Sequence, residues 1–174
     1  QGFSLMGSGS FNRSKQTTSP CLVGNIPNTP SYGACITEVT IAGQGLQPFA
    51  NPFGEEGSVP AFSPRSQFNL RARYDWNFNG GYKAFAMAGA SHMGSMYNQP
   101  ATYPSGEGVI YPTTVDLRYL QEAYTTYDAS LGIAKDAWDL SLYGSNLTNS
   151  HASVFTSSAE FIKSEVPLRP RVVG

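Results

Sequence analysis

The chain has 174 residues, a net charge of −1 and 13% charged side chains, about half the usual share of roughly 25%. So small a net charge supplies no long-range field for nucleic acid, and plentiful Tyr and Phe exclude a disordered tail. No apolar run approaches the length of a membrane-spanning helix, which excludes helical membrane proteins but not a β-barrel, whose signal is alternation.

Residues 2–13 alternate. Phe3, Leu5 and Phe11 share one parity with Gly7 and Gly9 between them. Ser4, Ser8, Ser10 and Asn12 share the other, with Met6 as the apolar exception. This pattern predicts a strand. From about residue 14 to 64 no period holds, and Pro, Asn, Gly and Ser dominate. A connection so far above the usual roughly 12–15 residues is expected to be functional or specially placed. It carries Cys21 and Cys35, the only cysteines. Two thiols in a polar loop predict a local disulfide and an oxidising compartment such as a periplasm or cell surface. Closing a loop of that size contributes about 3 kcal/mol in the chain-entropy model.

The clearest strand follows. Phe68, Leu70, Ala72, Tyr74, Trp76 and Phe78 fall on one face, and Asn69, Arg71, Arg73, Asp75 and Asn77 on the other. Only a period of two separates these sets. Asn79-Gly80-Gly81 is a tight hairpin signal. Residues 82–96 read as the next strand, with Tyr82, Ala84, Ala86, Ala88 and Ala90 on the apolar side and with Phe85 and Met87 misplaced on the polar side. Residues 97 to about 121 form a second long loop rich in Pro, Gly and Tyr. Residues 122–134 alternate again, Tyr127, Ala129, Leu131 and Ile133 against Thr126, Asp128, Ser130 and Gly132. Lys135-Asp136-Ala137 is a short turn. Trp138, Leu140 and Leu142 then oppose Asp139, Ser141, Tyr143 and Ser145, and Asn146-Leu147-Thr148-Asn149 ends that strand. A third long segment runs to Pro170, after which residues 171–174 begin a sixth strand.

The connections are therefore long, short, long, short, long. Consecutive antiparallel strands would put every short turn at one end of a sheet and every long loop at the other. Outer-membrane barrels sort their loops in this way. Tyr74, Trp76, Phe78, Tyr82 and Trp138 cluster at strand ends, most of them beside the short turns, as an interfacial girdle would. The predicted fold is all-β, with antiparallel up-and-down strands forming about six strands of a large transmembrane barrel.

Three segments resemble one family in its expected order. They are Tyr124-Thr125-Thr126-Tyr127-Asp128-Ala129-Ser130-Leu131-Gly132, then Trp138 through Asn149 with its closing Asn-Leu-Thr-Asn, then Pro167-Leu168-Arg169-Pro170-Arg171-Val172-Val173-Gly174. Together they resemble the C-terminal end of TonB-dependent outer-membrane receptors. Pro60-Ala61-Phe62-Ser63-Pro64-Arg65, leading into the strand at Phe68, is similar to the family's loop-to-strand passage. The resemblance implies that residues 1–174 are the C-terminal segment of a twenty-two-strand barrel. A plug domain would precede it in the parent chain, and the rest of the last strand would follow. It also implies location in a bacterial outer membrane among lipid, energy relayed by TonB through the parent chain, and import of a scarce ligand such as an iron chelate, cobalamin or an oligosaccharide. The start at Gln1 and the end at Gly174 agree with a piece of a longer protein. A passive outer-membrane porin and a secreted all-β module that binds a ligand or carbohydrate are the alternatives.

Candidate site residues follow from these placements. Arg71, Arg73 and Asp75 are expected to face the lumen, either touching a plug or ligand or serving as solvated wall charges. Tyr97, Tyr103, Tyr111 and Tyr119 in the second long loop are candidate ligand contacts, or loop-packing rings. No catalytic set, cofactor or metal site is expected. His92 and His151 have no further ligands at metal spacing, and Ser91 beside His92 points to the opposite face of its strand.

Overall fold

The computed structural model describes residues 2–21, 23–30, 32–36, 38–41, 43, 45–48, 53–100, 118–157 and 162–174. Among them there is no helix, and the strands are antiparallel. The main strands are β1 (Gly2–Phe11), β4 (Ser66–Asn77), β5 (Lys83–Met93), β8 (Tyr124–Lys135), β9 (Trp138–Ser145) and β12 (Val172–Val173). They form one sheet in the order β1-β4-β5-β8-β9-β12, so neighbours in space are neighbours in sequence among these six. The sheet is not closed, and β1 and β12 are its edges.

Alternation sets the register. Leu5 stands opposite Ala72, Ala72 opposite Ala88, and Ala88 opposite Ala129. A slip of one residue would turn a whole strand over. Short turns behave as their residues dictate. Gly80 and Gly81 both take positive φ, at 85° and 81°, and the Phe78 N–H donates to the Tyr82 carbonyl at 2.8 Å. Asp136 takes φ 48° between β8 and β9. At the far edge the Tyr143 N–H donates to the Gly174 carbonyl at 2.7 Å and the Gly174 N–H to the Tyr143 carbonyl at 3.0 Å, so pairing continues past Val173.

Two departures from expectation stand out. The strand expected over residues 82–96 ends at Met93. Gly94 lies against the backbone of Ser66, where an added Cβ would meet the Ser66 oxygen at 2.9 Å, and its N–H donates to that carbonyl at 2.7 Å. The chain turns out of the sheet there, and β6 (Met96–Tyr97) pairs with β7 (Leu120–Gln121) instead. The period-free segments also contain strands: β2 (Glu38–Ile41) with β3 (Gly45–Pro48), and β10 (Ser153–Ser157) with β11 (Ser164–Pro167). All three small ladders belong to connections at the same end of the sheet, the end away from the two short turns.

The sheet has no core of its own. No side chain of the six main strands is buried; the most deeply buried described side chain, Thr156, lies in β10.

Candidate functional site

The pairing sorts the side chains of the main sheet onto two faces. On one lie Phe3, Leu5, Leu70, Ala72, Tyr74, Trp76, the alanines of β5, Leu131, Ile133, Leu140 and Leu142. Trp138 is 83% exposed and Leu140 72% exposed on this face. The only Asp, Glu, Lys or Arg among its paired residues is Lys135, beside the short turn, with Nζ 4.4 Å from the centre of the Tyr82 ring. Tyr74 and Trp76 touch at 4.6 Å between ring centres. Of the aromatic residues expected near the short-turn end, Tyr74 and Trp76 thus meet in space.

The other face is polar and falls into ranks running across the strands. Nearest the long loops are Ser10, Gln67, Met93 and Tyr124, then Ser8, Asn69, Ser91 and Thr126. The next rank holds Met6, Arg71, Gly89 and Asp128, and the one after it Ser4, Arg73, Met87 and Ser130. The structure therefore brings Arg71, Arg73 and Asp75 onto one face. Arg73 and Asp75, two residues apart, join through Nε and Nη2, the shortest contact being 2.8 Å. The Arg73 guanidinium also lies 4.1 Å over the Phe85 ring. This explains the parity exception in β5. Phe85 stands opposite Gly132, and its ring occupies the place of a Gly132 side chain, 2.2 Å from where a Cβ would be. The ring covers a glycine on one side and supports an arginine on the other. A sequence window over β5 alone contains neither partner.

At the end of β9, Asn146-Leu147-Thr148-Asn149 forms a hydrogen-bond hub. The Asn146 N–H donates to Asp128 Oδ1 at 3.0 Å. Its Nδ2 donates to the Ser150 and Arg169 carbonyls at 3.0 and 2.9 Å, and its Oδ1 accepts from the Ser150 N–H at 2.9 Å. Asn149 Oδ1 accepts from the Arg171 N–H at 3.0 Å. Both asparagines take positive φ, at 47° and 52°, a conformation Asn tolerates better than most residues. Leu147 folds back over Gly144, with Cδ2 2.6 Å from a Cβ placed there. The motif thus ties β9 to β8 and delivers the chain into β12. The sequence marks a strand end here but carries no signal for the buried role of Asn146.

In the loops, Cys21 and Cys35 are disulfide-bonded with Cα atoms 5.5 Å apart. Tyr97 and Tyr119 lie on the short ladder between β6 and β7 and its flank. The Arg118 guanidinium sits 3.7 Å over the Tyr97 ring and Lys163 Nζ 5.3 Å from the Tyr119 centre. The Tyr119 N–H donates to Asn98 Oδ1 at 2.7 Å. Tyr103 and Tyr111 lie outside the described residues. His92 stacks on Phe68 at 4.8 Å, with Nδ1 2.9 Å from Thr125 Oγ1. Ser91 points to the other face, where its Oγ accepts from Asn69 Nδ2 at 2.6 Å. His151 Nε2 lies 3.1 Å from Asn149 Nδ2. Among the described residues no three His, Cys, Asp or Glu side chains gather at a metal-holding distance.

Compared with known protein families, curated protein sequences and solved structures, the chain shows no match.

Proposed function

We propose that this chain is a stretch of wall from an outer-membrane β-barrel of the TonB-dependent receptor kind, which imports a scarce ligand across the bacterial outer membrane. The observation that carries the reading is a single sheet with one apolar and one polar face and no buried side chain on either. Large contiguous apolar faces are rare on soluble monomers, and here Phe3, Leu5, Leu131, Leu140, Leu142 and Trp138 are all exposed on one face. Lipid accommodates such a face, provided every backbone group is paired. Phe68 to Phe78 spans roughly 33 Å along the strand. At a barrel strand tilt of about 40° that gives a height of about 25 Å, the height of an outward apolar band.

The polar face then lines the interior, and the open edges at β1 and β12 are where neighbouring wall strands pair. The long loops with their small ladders lie outside the cell, and the two short turns in the periplasm. The resemblance of the Asn146–Asn149 hub and the Arg169–Arg171 passage to the receptor motif favours this family over a passive porin. A plug domain and the contact with TonB would come from the rest of the parent chain.

Epitope tags test the orientation in intact cells. A tag between Gly80 and Gly81 should stay hidden until the outer membrane is permeabilised, while one at Gly57 should be reachable at once. Equal reactivity of both tags overturns the reading in favour of a secreted module. A parent coding sequence without a plug domain ahead of residue 1 overturns the receptor in favour of a porin.

A further inference from the structure

The two ranks of the polar face nearest the long loops border a cavity of about 450 Å³, within the roughly 300–1,000 Å³ range of ligand sites. Its polar side chains are the hydroxyls of Ser8, Ser10 and Ser91, the amides of Gln67 and Asn69, the ring of Tyr124 and the imidazole of His92, with Phe68 and Met93 as its apolar members. No ionisable carboxylate, ammonium or guanidinium lines it. Charge begins one rank further in, with Arg71 and Asp128.

This chemistry discriminates among ligands. An anionic metal chelate is held by fixed cations, guanidinium groups above all, and none is present here. A neutral sugar chain offers hydroxyls that both donate and accept, and C–H faces that lie against an aromatic ring. Amides and hydroxyls beside a tyrosine match both features. The groups are also partly set in place. Asn69 Nδ2 donates to Ser91 Oγ, which orients the amide across β4 and β5 and leaves the Ser91 O–H proton to donate to a ligand.

We propose that this cavity is a subsite for a neutral oligosaccharide, with Tyr124 as the stacking ring and Gln67, Asn69 and Ser91 as its hydrogen-bonding wall. The proposal rests on the reading of the polar face as the inside of a transport barrel, and it favours a neutral sugar over an anionic chelate among the ligands such a barrel could carry.

The test uses the full-length parent protein in detergent. It is screened on an array of neutral oligosaccharides of glucose, galactose, mannose and xylose, with oligogalacturonate and a ferric tris-catecholate chelate as anionic comparisons. A neutral oligosaccharide should bind. Tyr124→Ala should weaken it about tenfold, the size of one aromatic contact. Tyr124→Phe, which keeps the ring and the fold, should retain it, and Asn69→Ala should weaken it less. Binding of the ferric chelate alone, absence of binding to every neutral glycan, or sugar binding indifferent to Tyr124→Ala overturns the proposal. Nitroxide labels at Ala72 separate the two readings. Lipid contact there without sugar binding removes the subsite and leaves the barrel. Sugar binding that depends on Tyr124, without lipid contact, removes the barrel and leaves the sugar site on a secreted module.

Discussion

The two faces of the main sheet share every backbone hydrogen bond, yet they are stabilised in opposite ways. The polar face has internal partners: Arg73 with Asp75, Arg73 over Phe85, Phe85 over Gly132, and Asn69 with Ser91. The apolar face has few. Leu131, Leu140 and Leu142 are all more than half exposed, and the β5 alanines that share their face are too small to cover them. One face is finished by its own side chains and the other only by its surroundings. The physical content of the membrane reading lies in that difference, because burying apolar area stabilises only when something apolar meets it.

The comparison breaks most sharply at mid-strand. Leu70→Arg should cost about 2–4 kcal/mol in a bilayer, the range for a cation near the midplane of a barrel's lipid face. Asn69→Arg, one residue away on the polar face, should cost about 1 kcal/mol, the loss of one exposed hydrogen bond to Ser91. Reversible urea unfolding in lipid vesicles measures both, and equal costs would mean that the faces are not distinct. Next in size is Asn146→Ala, which leaves the Ser150 N–H and the Arg169 carbonyl without their side-chain partner. We expect about 2 kcal/mol, from lost buried hydrogen bonds and an unfavourable positive φ. Faster amide exchange should appear at Tyr143 and Gly174, because the hub sets the register that puts Val173 on the apolar side. Exchange confined to the loop would separate the hub from the sheet.

Within the polar face the effects shrink. Phe85→Ala removes a cation–π contact and uncovers Gly132, for a loss of about 1–2 kcal/mol, again read from vesicle unfolding. Phe85→Leu should recover the covering part but not the arginine contact. Asp75→Asn should change stability by less than about 1 kcal/mol, since both partners of the ion pair are more than a third exposed. A loss above 2 kcal/mol would show that the pair is far better shielded than its exposure implies.

Much of the sheet is legible in the sequence. Eight to twelve residues of alternation, broken in β1 only by Met6, suffice to place β1, β4, β8 and β9, and Asn79-Gly80-Gly81 fixes one turn because two glycines supply two positive φ angles. Alternation weakens in β5, where Phe85 follows its partners Arg73 on β4 and Gly132 on β8 rather than its own strand; no contact accounts for Met87. The small ladders were not legible for a different reason. Strands of two to five residues hold too few repeats for a period to show, and β6 and β7 are separated by a long stretch of chain. The hub was half legible. Its residues mark a strand end, but their partners Asp128 and Arg169 lie 18 and 23 positions away, beyond any local window. Asn69 is visible in the sequence as polar alternation, whereas Gln67 precedes the run that begins at Phe68. Their assembly with Ser8, Ser10 and Tyr124 needed the pairing across four strands.

The outward direction of the apolar face is the central claim, and paired nitroxide labels test it most directly. Labels at Ala72 and Leu131 on one face, and at Asn69 and Ser130 on the other, are read in the parent protein reconstituted in lipid. Membrane-dissolved oxygen should relax the first pair, and a water-soluble nickel chelate the second. Labels at Ala72 and Leu131 shielded from both reagents, as inside a second protein layer, would contradict the account.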